Sequence, residues 1–228
     1  MIGVVIVPLD GSELAEQVLL YAKRIADRLR IPIHLLRVIP PDASAAMRDD
    51  ASSYLSKTVG ELNYPGHISV RPGNTAEQII ALAGEVDNPI IAMTTHGRGG
   101  LGHLLYGSVA DQVLREANCP VLLIRSGTGP AAEEASRSIM VPLDGSAHVE
   151  TVLSYALELA GAFAADLWLV RAVETPLVIG DPLWALALND GYRRMLREAG
   201  YYLGTMAERL DSAGGSDAYT SAQGLCRR

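Results

Sequence analysis

Short apolar runs alternate with longer amphipathic stretches along the first half of the chain. The run Val4–Leu9 shows no alternation of apolar and polar residues, which is typical of a strand buried on both faces of a sheet. Prolines or Pro-Gly pairs close several of the other runs. The predicted strands of this half are Val4–Leu9, Ile33–Ile39, His67–Val70, Pro89–Thr94 and Pro120–Arg125.

Between these runs, apolar residues recur at the three- and four-residue spacing of an amphipathic helix. Ser12 and either Asn74 or Thr75 are suitable N-caps, because their side chains can accept a backbone N–H of the first turn. The predicted helices run from Ser12 to Leu29, from Ala43 to about Leu62, from Ala76 to Glu85 and from Gly107 to Ala117. The alternation of strands and helices predicts an α/β fold with an open parallel sheet and helices on both faces.

The chain then repeats itself. Val7–Ser12 (Val-Pro-Leu-Asp-Gly-Ser) returns as Val141–Ser146, an offset of 134 residues. Further matches at the same offset include Glu16 with Glu150 and Arg37 with Arg171. These matches predict a tandem duplication, with a complete domain at 1–126, a linker at 127–137 and an incomplete second domain at 138–228.

The second copy has fewer predicted elements than the first. At the same offset, the counterpart of Gly97 would fall at position 231, beyond Arg228. We therefore expect this copy to lack the glycine-rich loop and the last strand, and to bind no nucleotide. Its predicted elements are the strand Ile139–Leu143, the helix Ser146–Phe163, the strand Leu167–Val173 and a long helix from about Pro182 to Leu210.

Composition and charge narrow the class of function. Hydrophobic residues make up 49% of the chain and charged residues 20%, as in a packed globular protein. The net charge of −7 argues against a nucleic-acid partner, and no apolar stretch approaches the roughly 18–20 residues of a membrane span. The amino terminus lacks the basic region of a secretory signal, and two cysteines make no disulfide framework. These features predict a cytoplasmic protein that binds neither nucleic acid nor membranes.

The segment from Thr94 to Ala110 is the first candidate for chemistry. It follows a predicted strand, is rich in glycine, and opens a predicted helix. Glycines such as Gly97 and Gly100 allow close approach of the backbone to a bulky anion, and helix N-termini present free N–H groups to phosphate. Ser108 could add a hydroxyl donor and Arg98 a cation. The alternative is a flexible crossover, since neither a Gly-Lys-Ser/Thr loop nor a GxGxxG fingerprint is present.

Asp10, at the end of the first predicted strand, is the second candidate. In an open parallel sheet, ligands bind beyond the carboxyl ends of the strands, where the strand order reverses. With the order 3-2-1-4-5, Asp10 and the loop after the fourth strand would both lie there. The alternative role for Asp10 is that of a turn former before Gly11–Ser12. No catalytic residue and no metal ligand is assigned, because His96 and His103 lack a nucleophile, a paired carboxylate or a metal-ligand spacing.

Four motifs in order resemble the universal stress protein family. They are Val-Pro-Leu-Asp-Gly-Ser on the first strand, the Thr-His-Gly-Arg-Gly-Gly loop, Gly-Ser-Val-Ala on the last helix, and Cys-Pro-Val-Leu-Leu-Ile-Arg at the last strand. The resemblance covers residues 1–126 fully and about 138–211 in part. It implies a five-stranded parallel α/β fold, with expected order 3-2-1-4-5. It also implies a homodimer through the strand Pro120–Arg125, which would cover an apolar edge.

The resemblance also suggests the ligand. The ATP-binding members of the family that this chain resembles have the pattern Gly, two residues, Gly, nine residues, then Gly-Ser or Gly-Thr. Gly97 and Gly107-Ser108 match, whereas Thr94 replaces the first glycine. By resemblance, Asp10 would meet the adenine or ribose. The backbone groups of Leu9 and Val38 would flank the adenine. The residues implied at the phosphates are Gly97, Gly107, Ser108 and Val109, beside the loop positions Thr94, Arg98 and Gly100.

The expected function is a stress-response regulatory protein that binds ATP, alone or with Mg²⁺, in its first domain, with at most weak ATP hydrolysis. Two alternatives stay open. Thr94 favours a dimerisation or interaction module that binds no nucleotide. The third possibility is an enzyme acting on ATP, such as a phosphotransferase or ligase, although no general base or nucleophile is identifiable.

Overall fold

A computed structural model describes residues 1–95, 107–125, 138–174 and 182–212. The chain divides into two compact units, Met1–Glu133 and Glu134–Arg228. The predicted linker at 127–137 lies almost entirely outside the described residues. Each unit is described separately below.

The first unit is built on a five-stranded parallel sheet of order β3-β2-β1-β4-β5, which confirms the predicted fold class and strand order. The central strand β1 pairs with β2 on one side and with β4 on the other. The strands are β1 (Val4–Pro8), β2 (Ile33–Ile39), β3 (Gly66–Pro72), β4 (Pro89–Thr94) and β5 (Val121–Ile124).

The helices of this unit lie close to their predicted positions. Ser12, Ser44 and Asn74 are the N-caps of α1, α3 and α4, and each side chain accepts a first-turn N–H. The predicted single helix from Ser12 to Leu29 is interrupted at Gln17, where the N–H donates to the carbonyl of Ala15 instead of continuing the regular pattern. The helices are α1 (Glu13–Glu16), α2 (Val18–Leu29), α3 (Ala45–Leu62), α4 (Thr75–Glu85) and α5 (Ser108–Glu116).

Two strand boundaries differ from prediction for a physical reason. β3 is longer than His67–Val70 because it pairs with β2 along its whole length, from Gly66 to Pro72. Sheet pairing thus recruits residues that lack strand character by themselves. β5 is shorter than Pro120–Arg125, since its residues pair with β4 only from Val121 to Ile124.

The core confirms why β1 and β4 lack apolar–polar alternation. Every residue of β4 is buried, and Val5, Ile6 and Val7 of β1 have no measurable exposure. Helices cover both faces of the sheet, so each side chain of a central strand meets apolar partners. Ile6, for example, belongs to a cluster with Ile79 and Leu82 of α4 and with residues of α5.

The second unit contains a parallel pair of strands, β6 (Ser138–Pro142) and β7 (Asp166–Val170). β7 ends before the predicted Val173 because its partner β6 ends at Pro142, which pairs with Val170. An apolar cluster joins the two strands to α7 and α8. The helices of this unit are α6 (Ala147–Glu150), α7 (Val152–Phe163) and α8 (Pro182–Ser212).

One face of this second sheet differs from its counterpart in the first unit. Met140 occupies in β6 the place that Ile6 has in β1 at the 134-residue offset. Met140 is 64% exposed, whereas Ile6 is fully buried. Within the described part of the chain, β6 pairs with β7 alone. None of the described helices is both long and apolar enough to cross a lipid bilayer.

Gly3 should be intolerant of any side chain, because a Cβ there would lie 2.6 Å from the carbonyl oxygen of Asp87. We expect Gly3→Ala to lower the free energy of unfolding by about 1–3 kcal/mol, the usual cost of overpacking. Gly60 in α3 is the matched control, since a Cβ there meets nothing within 4 Å. Gly60→Ala should raise stability by up to about 1 kcal/mol. Urea unfolding of both variants tests this, and an equal effect of the two changes would contradict it.

Candidate functional site

The carboxyl ends of β2, β1 and β4 lie at one edge of the sheet, and the strand registers place Val38, Asp10 and Thr95 there. The pairing of Pro8 with Leu36, continued by two residues, sets Asp10 level with Val38. The last pair between β1 and β4 is Ile6 with Ile91, and the same register continued by four residues sets Asp10 level with Thr95, the residue after the predicted Thr94. This row spans β2, β1 and β4 and includes the gap between β1 and β4, where the strand order reverses. It is the position at which open parallel sheets bind ligands.

Asp10 is held by a tight turn that leads into α1. Its Oδ1 accepts the N–H of Ser12 at 2.9 Å and the hydroxyl of Ser12 at 2.5 Å. The hydroxyl oxygen of Ser12 accepts in turn the N–H of Ala15 at 3.2 Å. Gly11 has φ +74°, a conformation that favours glycine. Asp10 therefore forms the turn, which is the alternative role that the sequence suggests for it. The bonds to Ser12 fix the direction of its carboxylate, and a ligand contact is compatible with them.

Both backbone groups of Leu9, which were predicted to flank the adenine, already form hydrogen bonds within the protein. Its N–H donates to the carbonyl of Leu36 at 2.8 Å, within the sheet pattern. Its carbonyl accepts from Nη1 of Arg37 at 3.3 Å. A carbonyl oxygen has two lone pairs, so a second donor can still reach it, but the N–H of Leu9 has a partner in the sheet. Val38, at the end of β2, is half-buried.

On the other side of the row, α5 begins at the end of β4. The N–H of Gly107 donates to the carbonyl of Thr95 at 2.7 Å, and Thr95 is in turn held by the carbonyl of Ile124. Gly107 is the N-cap of α5 and provides no side-chain cap. The N-cap itself therefore bonds none of the first-turn N–H groups of α5, and helix N-termini of this kind can bind anions. Ser108 is exposed at this end, and Val109 is half-buried.

Gly107 has an ordinary backbone conformation, with φ −65°. A Cβ at this position would lie 3.4 Å from the carbonyl oxygen of Thr95, at the edge of normal contact. Among the described residues, this oxygen is the only atom within 4 Å of such a Cβ.

Thr94, which replaces the first glycine of the family pattern, is buried, with 8% of its surface exposed. Gly97, Arg98 and Gly100 lie outside the described residues. The structure thus brings Leu9, Asp10 and Val38 to the crevice, together with Thr94, Gly107, Ser108 and Val109 at the ends of β4 and α5.

Three polar residues beside the Asp10 turn were not predicted as site residues. Arg37 of β2 lies with its guanidinium carbon 5.8 Å from the ring centroid of Tyr54, and the hydroxyl of Tyr54 donates to Oε1 of Glu16 at 2.7 Å. Burial, followed by the bond to Glu16, raises the pKa of Tyr54, so the phenol stays protonated at neutral pH. The signal was present in the repeat, because Glu16 and Arg37 recur at the 134-residue offset.

The second unit forms a similar turn. Oδ1 of Asp144 accepts the N–H of Ser146 at 2.8 Å, and the hydroxyl oxygen of Ser146 accepts the N–H of Val149 at 3.3 Å. The bonds from Ser146 are the main cause that lowers the pKa of Asp144, with a smaller contribution from Arg171. Gly145 has φ +91°, as the left-handed turn requires.

Metal binding was not predicted. Among the residues that the structure describes, no group of three or more His, Cys, Asp or Glu side chains could hold a metal ion.

Comparison with known proteins identifies the family. The family model described as "Universal stress protein family" matches residues 1–125. The chain belongs to the universal stress protein family. This confirms the resemblance that the four sequence motifs carry.

Two curated relatives show how the lengths compare. A universal stress protein of Methanocaldococcus jannaschii is 26% identical over 137 residues, which is 53% of this chain and 81% of that protein. A universal stress protein of Mycobacterium tuberculosis is 23% identical over 188 residues, which is 74% of this chain and 63% of that protein. The match therefore spans less than two thirds of the mycobacterial relative.

Solved structures support the fold over both units. A universal stress protein from Archaeoglobus fulgidus aligns with a TM-score of 0.64 at 18% identity, covering 98% of this chain and 75% of that chain. Another from the same organism, solved in complex with dAMP, aligns with a TM-score of 0.45 at 24% identity over 54% of this chain and 98% of that chain. The bound dAMP is a property of that protein.

Ser12 should contribute more to stability than an ordinary N-cap, because its hydroxyl joins the carboxylate of Asp10 to the first turn of α1. We expect Ser12→Ala to lower the free energy of unfolding by about 1–2 kcal/mol. The matched control is Ser44→Ala, which removes the exposed cap bond to Met47 alone and should cost about 0.5–1 kcal/mol. Urea unfolding of both variants measures the difference, and a smaller loss for Ser12→Ala would contradict the role given to this hydroxyl.

Proposed function

We propose that the first unit binds one ATP molecule and that the protein acts as a nucleotide-dependent regulator in the stress response. The observation that carries this proposal is the row formed by Val38, Asp10 and Thr95, with Gly107 fixed to the carbonyl of Thr95. Asp10, whose carboxylate suits the sugar or base, follows β1. The N-terminus of α5, which suits phosphate, follows β4, and the two strands are adjacent. This is the combination that an adenine nucleotide requires.

The net charge of −7 is compatible with such an anionic ligand. Phosphate binding at this site would depend on backbone N–H groups and the dipole of α5, and not on lysines. Asp111 in the first turn of α5 adds a negative charge, but it is paired with Arg115 one turn later. Among the described residues of α5, this ion pair offsets the negative charge of Asp111.

Asp10 supplies the acceptor on the other side of the nucleotide. A carboxylate offers about four lone-pair positions. Ser12 occupies Oδ1, which orients the group. A ribose hydroxyl or the adenine amino group could donate to the carboxylate. The peptide groups of Leu9 and Val38 would flank the base, with the carbonyl of Leu9 as the available group.

Thr94 weakens the match to ATP-binding members but does not decide against it. Its burial places it at the end of a fully buried strand, where it is part of the sheet and not an exposed loop position. Hydrolysis would be slow at most, because no general base or nucleophile is assigned to the site.

Titration calorimetry of the purified chain with ATP tests this proposal. We expect one binding event per chain, weakened at least about tenfold in Asp10→Asn, the loss expected for one charge-assisted hydrogen bond. The control is Asp144→Asn, which makes the same change in the turn of the second unit and should leave ATP affinity unchanged. Absence of ATP binding to the unaltered chain at millimolar concentrations would overturn the proposal.

Gly107→Ala gives an independent test at the phosphate side. Among the described residues, the Cβ would meet only the carbonyl oxygen of Thr95, at 3.4 Å, so we expect the fold to accept the change. ATP affinity should nevertheless fall about tenfold or more, because the methyl group would stand where phosphate approaches the backbone. Gly60→Ala, remote from the crevice, is the control. If Gly107→Ala binds ATP as tightly as the unaltered chain, the phosphate does not lie at this helix end.

A second candidate is an interaction module that dimerises, and the edge strand β5 favours it. All four residues of β5 are half-buried, and β5 pairs only with β4 among the described strands. The carbonyls of Pro120 and Ile124 accept from β4. In a parallel pair, the alternate residues Val121 and Leu123 therefore direct their peptide groups to the open edge. Such an edge is a template for a second copy.

Light scattering coupled to size exclusion tests the homodimer. We expect a dimer for the unaltered chain and a shift toward monomer in Val121→Pro, which removes one outward N–H at a position where an edge strand tolerates proline. Circular dichroism should show that the variant keeps its fold. A monomer for the unaltered chain at high concentration would contradict the homodimer.

A further inference from the structure

A cluster of Glu16, Arg37 and Tyr54, here called the arginine clamp, surrounds the turn that carries Asp10. Arg37 contacts this turn at two points. Its Nη1 donates to the carbonyl of Leu9 at 3.3 Å, directly before Asp10. The same nitrogen lies 3.0 Å from the position that a Cβ on Gly11 would take, directly after Asp10. The guanidinium therefore packs against both neighbours of the carboxylate residue.

The other two members of the clamp hold the guanidinium in place. Its carbon lies 5.8 Å from the ring centroid of Tyr54 on α3, within the range of a cation–π contact. The hydroxyl of Tyr54 donates to Glu16 on α1 at 2.7 Å. The clamp thus links β2, α3 and α1 around one turn, and all three side chains are half-buried.

The second unit repeats the contacts of the arginine with a tyrosine and with the glycine of the turn. The guanidinium carbon of Arg171 lies 5.0 Å from the ring centroid of Tyr202, and the hydroxyl of Tyr202 donates to Oε1 of Glu150 at 3.1 Å. A Cβ on Gly145 would lie 3.2 Å from Nη1 of Arg171. The contact of arginine with the glycine of the turn is therefore repeated as well.

The tyrosine of the second unit does not follow from the 134-residue repeat of the sequence. Glu16 and Arg37 recur at the offset of 134 residues as Glu150 and Arg171, but the position at that offset from Tyr54 is Leu188. Tyr202 lies 148 residues after Tyr54. Both units thus form the same contact with a tyrosine from a different point of the following helix. The repeated contact points to a role of the arginine in shaping the turn that carries the aspartate.

We propose that Arg37 is a positioning residue for the nucleotide site: it fixes the peptide groups on both sides of Asp10, so that the carboxylate meets the base or ribose. This inference rests on the proposed binding of ATP. Arginine suits the task because one planar group can donate to the carbonyl of Leu9 and stack on Tyr54 together. Lysine keeps the charge but cannot do both.

The test compares ATP with inorganic tripolyphosphate, which lacks the base and sugar. In Arg37→Lys we expect ATP affinity to fall about five- to tenfold, the scale of one lost hydrogen bond, while tripolyphosphate affinity stays unchanged. General damage to the first unit would lower the affinity for both ligands. Arg171→Lys is the matched control, and its affinity for ATP should lie within a factor of about two of the unaltered chain, given the usual precision of such comparisons.

A second variant keeps the test valid if Arg37→Lys does not fold. Tyr54→Phe keeps the ring beneath the guanidinium and removes only the bond to Glu16, so ATP affinity should fall two- to threefold, roughly the low end for a single hydrogen bond, again without an effect on tripolyphosphate. Unchanged ATP affinity in both Arg37→Lys and Tyr54→Phe overturns the positioning role and leaves ATP binding intact. Equal losses for ATP and tripolyphosphate also overturn it. Failure of the unaltered chain to bind ATP overturns the proposed function itself.

Discussion

The parallel pairing of β1 with β2 on one side and β4 on the other is the constraint on which the site depends. It sets Asp10 level with Val38 and with Thr95, although these residues are far apart in sequence. Because both faces of β1 are packed, a one-residue shift of its register would move Ile6 and Val7 to the opposite faces of the sheet and break the packing of Ile6 against Ile79 and Leu82. Burial of the strand therefore fixes the position of a polar residue just beyond its end.

The sequence was sufficient for the elements and their order. β2 and β4 have their predicted bounds, because proline and turn residues flank both of these largely apolar runs. The N-caps Ser12 and Asn74 were also predicted, since capping is a local interaction. The length of β3 could not be predicted, because its outer residues are extended only through their pairing with β2.

The surroundings of Asp10 were harder to predict than Asp10 itself. Tyr54 reaches Glu16 and Arg37 across three elements, and no spacing in the sequence reports a contact of that kind. The internal repeat held a partial signal, since it retains the glutamate and the arginine. The tyrosine escapes this signal because the second unit takes it from another position, Tyr202. Packing of a helix against a strand end therefore determines which side chain completes the clamp.

The proposed nucleotide site lies where β1 and β4 meet in the first unit. Amide chemical shifts of the isotope-labelled chain, followed during addition of ATP, test this position. We expect shifts concentrated at Asp10, Val38 and Gly107, with Asp144 and Gly145 of the second unit unaffected. Shifts confined to other parts of the chain, or equal shifts at Asp10 and Asp144, would contradict it.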